Sequence, residues 1–202
     1  MLRVALTGNV AAGKSSVLEL FKGWGAATTD ADVFARQAVA PGSKALEQIR
    51  RRFGDGVFQA DGSLDRAALR HRITASPDER QALNAIVHPE VRRLEAAEDA
   101  RLRGQGAPLV VHDIPLLFEV LDPAGYDVVV LVDAPEAVRR ARLVRDRHLS
   151  AAEADALIAT QAPSGAKRAA SHFIIDNAGS RADLEAAARA VWRELQERAG
   201  VV

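Results

Sequence analysis

The most constraining feature of this chain is a glycine-bounded segment near its N-terminus. Residues 8–15 read Gly-Asn-Val-Ala-Ala-Gly-Lys-Ser, which fits the pattern G-x-x-x-x-G-K-[ST]. The mostly apolar residues 2–7 precede it and predict a short buried strand. Apolar residues at helical spacing follow it, namely Val17, Leu18, Leu20 and Phe21. A strand, a glycine-bounded loop and a helix in this order predict a phosphate-binding loop.

The chemistry of such a loop explains why these residue types occur at this spacing. Its backbone N–H groups and the positive end of the following helix surround a diphosphate. Lys14 would reach the β- and γ-phosphates, and the Ser15 hydroxyl would ligate Mg²⁺. A glycine turn that merely joins a strand to a helix is the alternative, but two glycines, a lysine and a serine in register argue against it. We therefore predict a site for a nucleoside triphosphate.

Composition excludes several classes of protein. The 202 residues suit one domain. Lys+Arg and Asp+Glu both number 27, so the formal net charge is zero and a nucleic-acid-coating polycation is disfavoured. The chain has no cysteine, which excludes disulfides, thiolate metal sites and cysteine nucleophiles. We see no signal-like N-terminus and no apolar run of membrane-spanning length, so a cytoplasmic protein without a membrane partner is expected.

Alternation of strand-like and helix-like segments predicts a three-layer α/β fold, in which a parallel sheet is flanked by helices. After residues 2–7, the predicted strands are residues 25–29, 108–114, 127–133 and 172–175. Apolar residues at helical spacing between Leu184 and Leu195 predict a closing helix that Ser180 could cap.

Residues 33–106 carry helical signals alone, including the helix start Ser76-Pro77-Asp78-Glu79. This excursion is longer than a crossover between strands needs, and we expect it to bind the second substrate, although it could be a helical prop. We predict a single domain over 1–202. Its parts are a core (about 1–32, 107–137 and 170–202), a helical acceptor-binding region (about 33–106) and a lid (about 138–169).

Two acids follow the predicted strand at 25–29. In a doubly wound sheet, ligands bind outside the carboxyl ends of the strands, so Asp30 and Asp32 would lie near the γ-phosphate site. A carboxylate there could orient an acceptor hydroxyl and take its proton late in phosphoryl transfer. The alternative role is capping, in which Asp32 accepts hydrogen bonds from the backbone of the helix beginning at Val33. The pair alone does not tell the two roles apart.

The segment after the strand at 127–133 is rich in arginine, with five between residues 139 and 147. Ser150 and Glu153 then form a predicted capping box that begins a second helix. A helical hairpin bearing arginines is typical of a lid that closes over ATP and neutralises charge on the transferring group. The alternative is a solvated face in which the arginines pair with Glu136 and Asp146.

Several segments together resemble the dephospho-CoA kinase family, over nearly the whole chain. The matching segments, in order, are Thr7 through Ser16, Asp30-Ala31-Asp32, Ala35-Arg36, Leu83 through Pro89, Asp113 through Glu119, and the stretch from Arg142-Leu143 to Asn177. The Ile-Pro-Leu-Leu and His-Pro segments are the most specific, because other phosphate-loop kinases lack that combination.

This resemblance implies that ATP phosphorylates the ribose 3′-hydroxyl of dephospho-CoA, the last step in coenzyme A synthesis. It implies ATP and Mg²⁺ as cofactors, with Asp32, Lys14 and Arg142 as catalytic residues. The ATP-binding residues would be Gly8, Asn9, Val10, Ala11, Ala12, Gly13, Lys14, Ser15, Ser16, Arg142 and Arg145. The acceptor-binding residues would be Asp30, Asp32, His88, Pro89, Ile114, Pro115, Leu116 and Leu117. Gln161 and Lys167 also match family positions.

Not every position fits the family. Asn9, Ala11 and Ala12 replace two glycines and a serine of the usual loop, and Ala11 matters most if its φ is positive. Ser171-His172 stands where an alanine–aspartate pair is usual, which puts an adenine-side role of that aspartate in doubt. None of these changes removes Lys14, Ser15 or Asp32, so we expect an active enzyme.

Two rival functions remain open from the sequence. One is another small-molecule kinase, acting on a nucleoside, a nucleotide or shikimate, which would share the fold and the loop. The other is a nucleotide-binding module that transfers nothing. A GTPase is disfavoured because N-K-x-D is absent and the two D-x-x-G matches are misplaced. We expect a monomer or a weak homo-oligomer.

Overall fold

The computed structural model describes residues 1–201, except for the side chain of residue 120. In this part of the chain five strands form one sheet: β1 (Leu2–Gly8), β2 (Ala27–Asp30), β3 (Leu109–Asp113), β4 (Val128–Asp133) and β5 (Phe173–Asp176). The strand order is β2-β3-β1-β4-β5. β1 pairs in parallel with β3 and β4, and β4 pairs in parallel with β5.

Ten α-helices occur in the described residues. They are α1 (Lys14–Gly23), α2 (Ala31–Ala38), α3 (Lys44–Phe53), α4 (Arg66–Ala75), α5 (Pro77–Gly104), α6 (Leu117–Val120), α7 (Glu136–Arg147), α8 (Ala151–Ala159), α9 (Ser164–Ala169) and α10 (Arg181–Arg198). The predicted parallel sheet with flanking helices is confirmed.

The chain forms two compact units. The core unit comprises Met1–Thr29 together with the chain from Leu102 onward, and the helical unit comprises Asp30–Arg101. All six residues of β4 are buried, as are the last five of β1, because apolar strands covered on both faces exclude water. Side chains of α1 and α10 join these strands in one hydrophobic core, in which Phe21 and Trp192 stack with ring centroids 5.4 Å apart.

Local sequence signals account for several helix ends in the core unit. Ser180 and Asp183 form a capping box at the start of α10, and Ser150 and Glu153 form another at the start of α8. Both caps lie where the sequence predicts them. α7 ends at His148, which adopts a left-handed conformation with φ 54°.

The helical unit has a hydrophobic cluster of its own, built on Leu46, Ile49 and Phe53 of α3. α5 begins at Pro77, as the cap at Ser76 predicts, since Glu79 N donates to Ser76 Oγ over 3.3 Å. The helix continues through Pro89. Pro89 therefore sits in the helix interior at the loss of one backbone hydrogen bond.

None of the helices in residues 1–201 combines the length and the apolar character that crossing a lipid bilayer requires.

Candidate active site

A cleft of about 1150 Å³ opens in the core unit where the chain leaves the carboxyl ends of β1, β3 and β5. This is the edge of a parallel sheet at which α/β proteins bind ligands. The predicted site residues that line the cleft are Gly8, Asn9, Val10, Ala11, Gly13, Lys14, Ser15, Ser16, Pro115, Leu116, Arg142, Arg145 and Gln161. The structure thus brings together the loop, the segment after β3 and the arginines of the predicted lid.

Both glycines of the loop are required sterically. A Cβ on Gly8 would lie 2.8 Å from the carbonyl oxygen of Val132 in β4. Gly13 has φ 100°, and a Cβ there would lie 2.2 Å from Asn177 Nδ2. Ser16 N donates to the Gly13 carbonyl over 3.0 Å, so the helix begins directly at the second glycine. The spacing of the motif therefore follows from close backbone packing.

Ala11 takes a left-handed backbone conformation, with φ 58°. For a residue with a Cβ this costs on the order of 1 kcal/mol. The methyl group packs against the cluster formed by Leu143, Ala154 and Ile158. Replacement of a family glycine at this position therefore adds strain and an apolar contact together.

Asn9 fixes the start of the loop to the end of β4. Its side chain is buried, and Nδ2 donates to Asp133 Oδ1 over 2.8 Å. Asp133 also accepts from the Ser164 hydroxyl and from Arg168 Nη1, the latter over 3.0 Å. Burial alone would raise the pKa of the Asp133 carboxyl, but hydrogen bonds from Ser164, Asn9, Arg168 and the backbone outweigh it and lower that pKa below its ordinary value. The carboxylate is therefore stabilised in its charged form.

Lys14 forms an ion pair with Asp113, the last residue of β3, and both side chains are largely buried. Ser15, beside it in the first turn of α1, is exposed. Asp113 is not among the site residues predicted from the sequence. The available signal is an acid near the end of a predicted strand, but only the pairing of β3 with β1 in the sheet places that acid at the loop.

Arg142 reaches back from α7 to the loop. Its Nη1 donates to the carbonyl oxygens of Ala11 and Ala12, over 3.2 and 3.4 Å. Its Nη2 donates to the carbonyl and side-chain oxygens of Asn177, over 3.0 and 3.3 Å. Asn177 Nδ2 in turn donates to the Ala12 carbonyl over 2.8 Å. Arg142 and Asn177 thus hold the carbonyl side of the loop, and Asn177 is a second residue that the sequence argument missed.

The other arginines of the predicted cluster have separate surroundings. Arg139 is buried and donates to a backbone carbonyl over 3.1 Å. Arg140 pairs with Asp155 of α8 over 2.6 Å. Arg145 is exposed beside the cleft and pairs with its neighbour Asp146 over 2.6 Å. The cluster therefore divides into a buried structural residue, a surface pair and three arginines that line the cleft, Arg142, Arg145 and Arg147.

Gln161 and Lys167 hold the end of the lid segment in place. Gln161 Oε1 accepts a hydrogen bond from Val10 N over 2.8 Å. Lys167 is buried and pairs with Glu119 over 2.6 Å. Glu119 Oε1 also accepts from Ala162 N over 3.1 Å. Lys167 therefore has a structural contact in the core unit, whereas Gln161 faces the loop.

Asp30 and Asp32 lie in the helical unit and have different roles in its first helix. Asp30 is the N-cap of α2, and its Oδ1 accepts from Asp32 N over 2.8 Å and from Val33 N over 3.3 Å. Asp32 lies exposed in the first turn, and no hydrogen bond to its carboxylate occurs among the described residues. The suggested alternative of Asp32 as the cap is wrong, because Asp30 occupies that position.

The remaining predicted acceptor residues are not all on an accessible surface. His88 and Pro89 lie inside α5, where burial, followed by the charge of Arg92, lowers the pKa of the His88 imidazole and favours its neutral form. Of the segment after β3, Ile114 and Leu117 are buried in the core unit, whereas Leu116 is 45% exposed and lines the cleft with Pro115.

His172, which stands where the family usually has an aspartate, continues the pairing of β5 with β4. Its backbone N–H donates to the Val129 carbonyl over 2.9 Å, and its Nδ1 accepts from Val129 N over 3.0 Å. The imidazole therefore satisfies the sheet backbone at this position.

Comparison with known proteins identifies the family. The family model for dephospho-CoA kinase matches residues 2–183. A dephospho-CoA kinase of Anaeromyxobacter dehalogenans is 46% identical over 193 residues, which cover 96% of this chain and 92% of that protein. The enzyme of the same name from Thermobifida fusca is 40% identical and covers 98% of both chains. This chain belongs to the dephospho-CoA kinase family.

Solved structures agree with the fold. A crystal structure of a Thermus thermophilus protein superposes with a TM-score of 0.82 at 38% identity, covering 96% of this chain and 97% of that one. Dephospho-CoA kinase from Campylobacter jejuni superposes with a TM-score of 0.73 over 97% of this chain, and at 23% identity this likeness concerns the fold alone. The prediction of a phosphotransferase of this family is confirmed, and the rival functions are not favoured.

Proposed function

We propose that this protein transfers the γ-phosphoryl group of Mg²⁺-bound ATP to the ribose 3′-hydroxyl of dephospho-CoA. The observation that carries the proposal is the loop itself. Its two glycines are sterically required and its lysine lies in a cleft at the carboxyl edge of the sheet, in a chain of the dephospho-CoA kinase family. Phosphorylation of dephospho-CoA is the family's activity, and it completes coenzyme A.

Nucleotide binding is assigned to the core unit. Loop N–H groups between Ala11 and Ser15, other than that of Ala12, which donates to the Asn9 carbonyl, and the positive end of α1 would bind the phosphates. Lys14 would exchange its partner Asp113 for the β- and γ-phosphates when ATP enters. The carbonyls of Ala11 and Ala12 already accept from Arg142, which fixes the orientation of these two peptide groups. The loop is therefore ordered before the nucleotide binds.

The residues at the loop fit a magnesium ion. Ser15 offers a hydroxyl and Asp113 a carboxylate, and Mg²⁺ prefers such oxygen ligands together with phosphate oxygens. The bound ion neutralises charge on the β- and γ-phosphates. Ser15 was predicted as the ligand from the motif, and Asp113 is added to it here.

Asp32 is the proposed base. The carboxylate of Asp30 already accepts hydrogen bonds from the backbone of the first turn of α2. The carboxylate of Asp32 is exposed and accepts no hydrogen bond from the described residues. Asp32 would accept a hydrogen bond from the 3′-hydroxyl, orient its oxygen for in-line attack, and take its proton as the new P–O bond forms. Little proton transfer is needed at the barrier, because the transition state of phosphoryl transfer is loose.

The acceptor is assigned to the helical region at about 33–106 and to the segment after β3. Pro115 and Leu116 present apolar surface in the cleft, and Ile114 and Leu117 anchor that segment in the core. His88 and Pro89 are proposed as acceptor-binding residues from the family resemblance alone.

The lid at about 138–169 would exclude water, so that ATP is not hydrolysed. Arg142 and Arg145 would add positive charge at the transferring group.

The proposal is tested by incubating the protein with Mg²⁺·ATP and purified acceptors. Dephospho-CoA should gain one phosphoryl group by mass, at the 3′-position, with a matching amount of ADP. Shikimate and nucleosides, the acceptors of the rival kinases, should remain unchanged.

A cytoplasmic location and a monomeric or weakly associating state stay predictions. Sedimentation of the purified protein tests the oligomeric state.

A further inference from the structure

Gln161 approaches the loop with a defined orientation of its amide. It lines the cleft, and its Oε1 accepts from Val10 N over 2.8 Å. A backbone N–H can only donate, so the atom that faces Val10 must be the oxygen. The Nε2 group, with two donors, is therefore directed away from this contact.

The chain holds Gln161 in this position from both sides. On its C-terminal side, Ala162 N donates to Glu119, which also pairs with the buried Lys167. On its N-terminal side, Ile158 of α8 belongs to the cluster against which Val10 packs. Contacts on both sides reduce the freedom of the side chain, as preorganised groups in active sites require.

Two consequences follow for phosphate binding. The Val10 N–H is occupied by Gln161, so this loop amide is not available to a phosphate oxygen. Gln161 lines the cleft, so its Nε2 adds two donors there, and among residues 1–201 no hydrogen bond from Nε2 to a protein acceptor is found. A donor at the loop, in a cleft that also holds Lys14, suits an anionic phosphate oxygen.

We propose that Gln161 is a catalytic residue that donates from Nε2 to a γ-phosphoryl oxygen of ATP. The inference rests on the proposed function and names a further contact in the same reaction. As the acceptor oxygen bonds to phosphorus, the bond from phosphorus to the β–γ bridging oxygen breaks, ADP leaves, and the hydroxyl proton passes to Asp32. Gln161 transfers no proton; it stabilises the negative charge on the phosphoryl group during the transfer. It also distinguishes ATP from ADP, which lacks that group.

The Gln161→Glu and Gln161→Met variants together separate this role from a merely structural one. Glutamate keeps the length of the side chain and an oxygen for the Val10 N–H, but it loses both donors and adds a negative charge. We expect kcat to fall by about 100-fold or more, as happens when one transition-state donor is removed. Affinity for a non-hydrolysable ATP analogue should fall at least about tenfold relative to affinity for ADP, since the lost donor and the added charge act most strongly on the γ-phosphate, which ADP lacks. Gln105→Glu, the same exchange in an exposed turn outside the cleft, is the matched control.

The ratio of the two affinities decides the outcome. A Gln161→Glu variant with the wild-type ratio and turnover would overturn the proposal and leave Gln161 as a support for Val10. Gln161→Met removes the donors without adding a charge, and it should show the same selective loss of affinity for the ATP analogue. A structural defect would instead lower both affinities equally, and an unchanged ratio in Gln161→Met would likewise overturn the proposal. Failure of the proposed function itself would appear differently, as a wild-type protein that phosphorylates no dephospho-CoA.

Discussion

Two aspartates at the start of one helix illustrate how position divides chemically identical side chains. Asp30 precedes α2 and accepts hydrogen bonds from two backbone N–H groups, so its carboxylate caps the helix. Asp32 lies within the first turn, where its backbone is helical and its carboxylate is exposed. A carboxylate that takes a proton from a substrate must be exposed in this way, as that of Asp32 is.

Replacement of Asp32 by asparagine tests this assignment. The Asp32→Asn variant should lose about 100-fold or more in kcat, because it removes the proton acceptor, while its affinity for ATP stays near the wild-type value. Steady-state kinetics with dephospho-CoA and equilibrium binding of ATP measure the two quantities. Asp30→Asn is the matched control, since asparagine also caps helices, and it should retain far more turnover. Near-normal turnover of Asp32→Asn would place the base elsewhere.

Asp133 connects the loop to the pH dependence of stability. Hydrogen bonds lower the pKa of its carboxyl in the folded protein. Its contribution to stability is therefore complete above the unfolded-state pKa, which is about 3.9, and is lost as the pH falls through the lower folded-state pKa. Asp133→Asn should be less stable than the wild type at neutral pH, with a difference that shrinks below pH ~4. Urea unfolding between neutral and acidic pH measures the difference, and a gap that widened in acid would contradict this account.

At the scale of elements, the turn between α7 and α8 contains a strained residue. His148 is exposed and left-handed, at φ 54°, where glycine is the usual residue after a helix. His148→Gly should raise the free energy of unfolding by about 1 kcal/mol, because the Cβ strain is removed. Urea denaturation checks the gain, and His148→Ala, which keeps the Cβ, should show little of it. A glycine variant less stable than the wild type would show that the imidazole makes a stabilising contact.

The sequence predicts an element well when the residues that determine it lie close together along the chain. The strands, the capping boxes at Ser150 and Ser180, and the start of α5 at Pro77 were all predictable, because each depends on residues within one or two turns. The course of α5 through Pro89 was not, since a proline is ordinarily a helix breaker and only the surrounding helix overrides that preference.

The candidate site divides in the same way. Lys14 and Ser15 were found from the motif spacing, which is local. Asp113, Asp133 and Asn177 were missed, although each ends or follows a predicted strand. Their roles arise from the strand order, which places the ends of β3, β4 and β5 around the loop that follows β1. One sequence does not fix that order.

At the scale of the whole molecule, the residues proposed to bind the nucleotide all belong to the core unit. The loop, the proposed magnesium ligands, the arginines of the predicted lid and Gln161 all lie in Met1–Thr29 or beyond Leu102. The proposed base lies in the helical unit. ATP binding and transfer to the acceptor should therefore be separable by mutation, with core-unit changes at Lys14 affecting both and Asp32→Asn affecting transfer alone.

The central claim is that ATP is consumed in order to phosphorylate dephospho-CoA. Its most direct test is the rate at which the purified protein converts ATP to ADP with and without dephospho-CoA, with the acceptor product identified by mass. The account predicts ADP formation that depends on the acceptor, and a product that has gained one phosphoryl group at the ribose 3′-hydroxyl. Equal ADP formation in the absence of dephospho-CoA, with the acceptor unchanged, would contradict it.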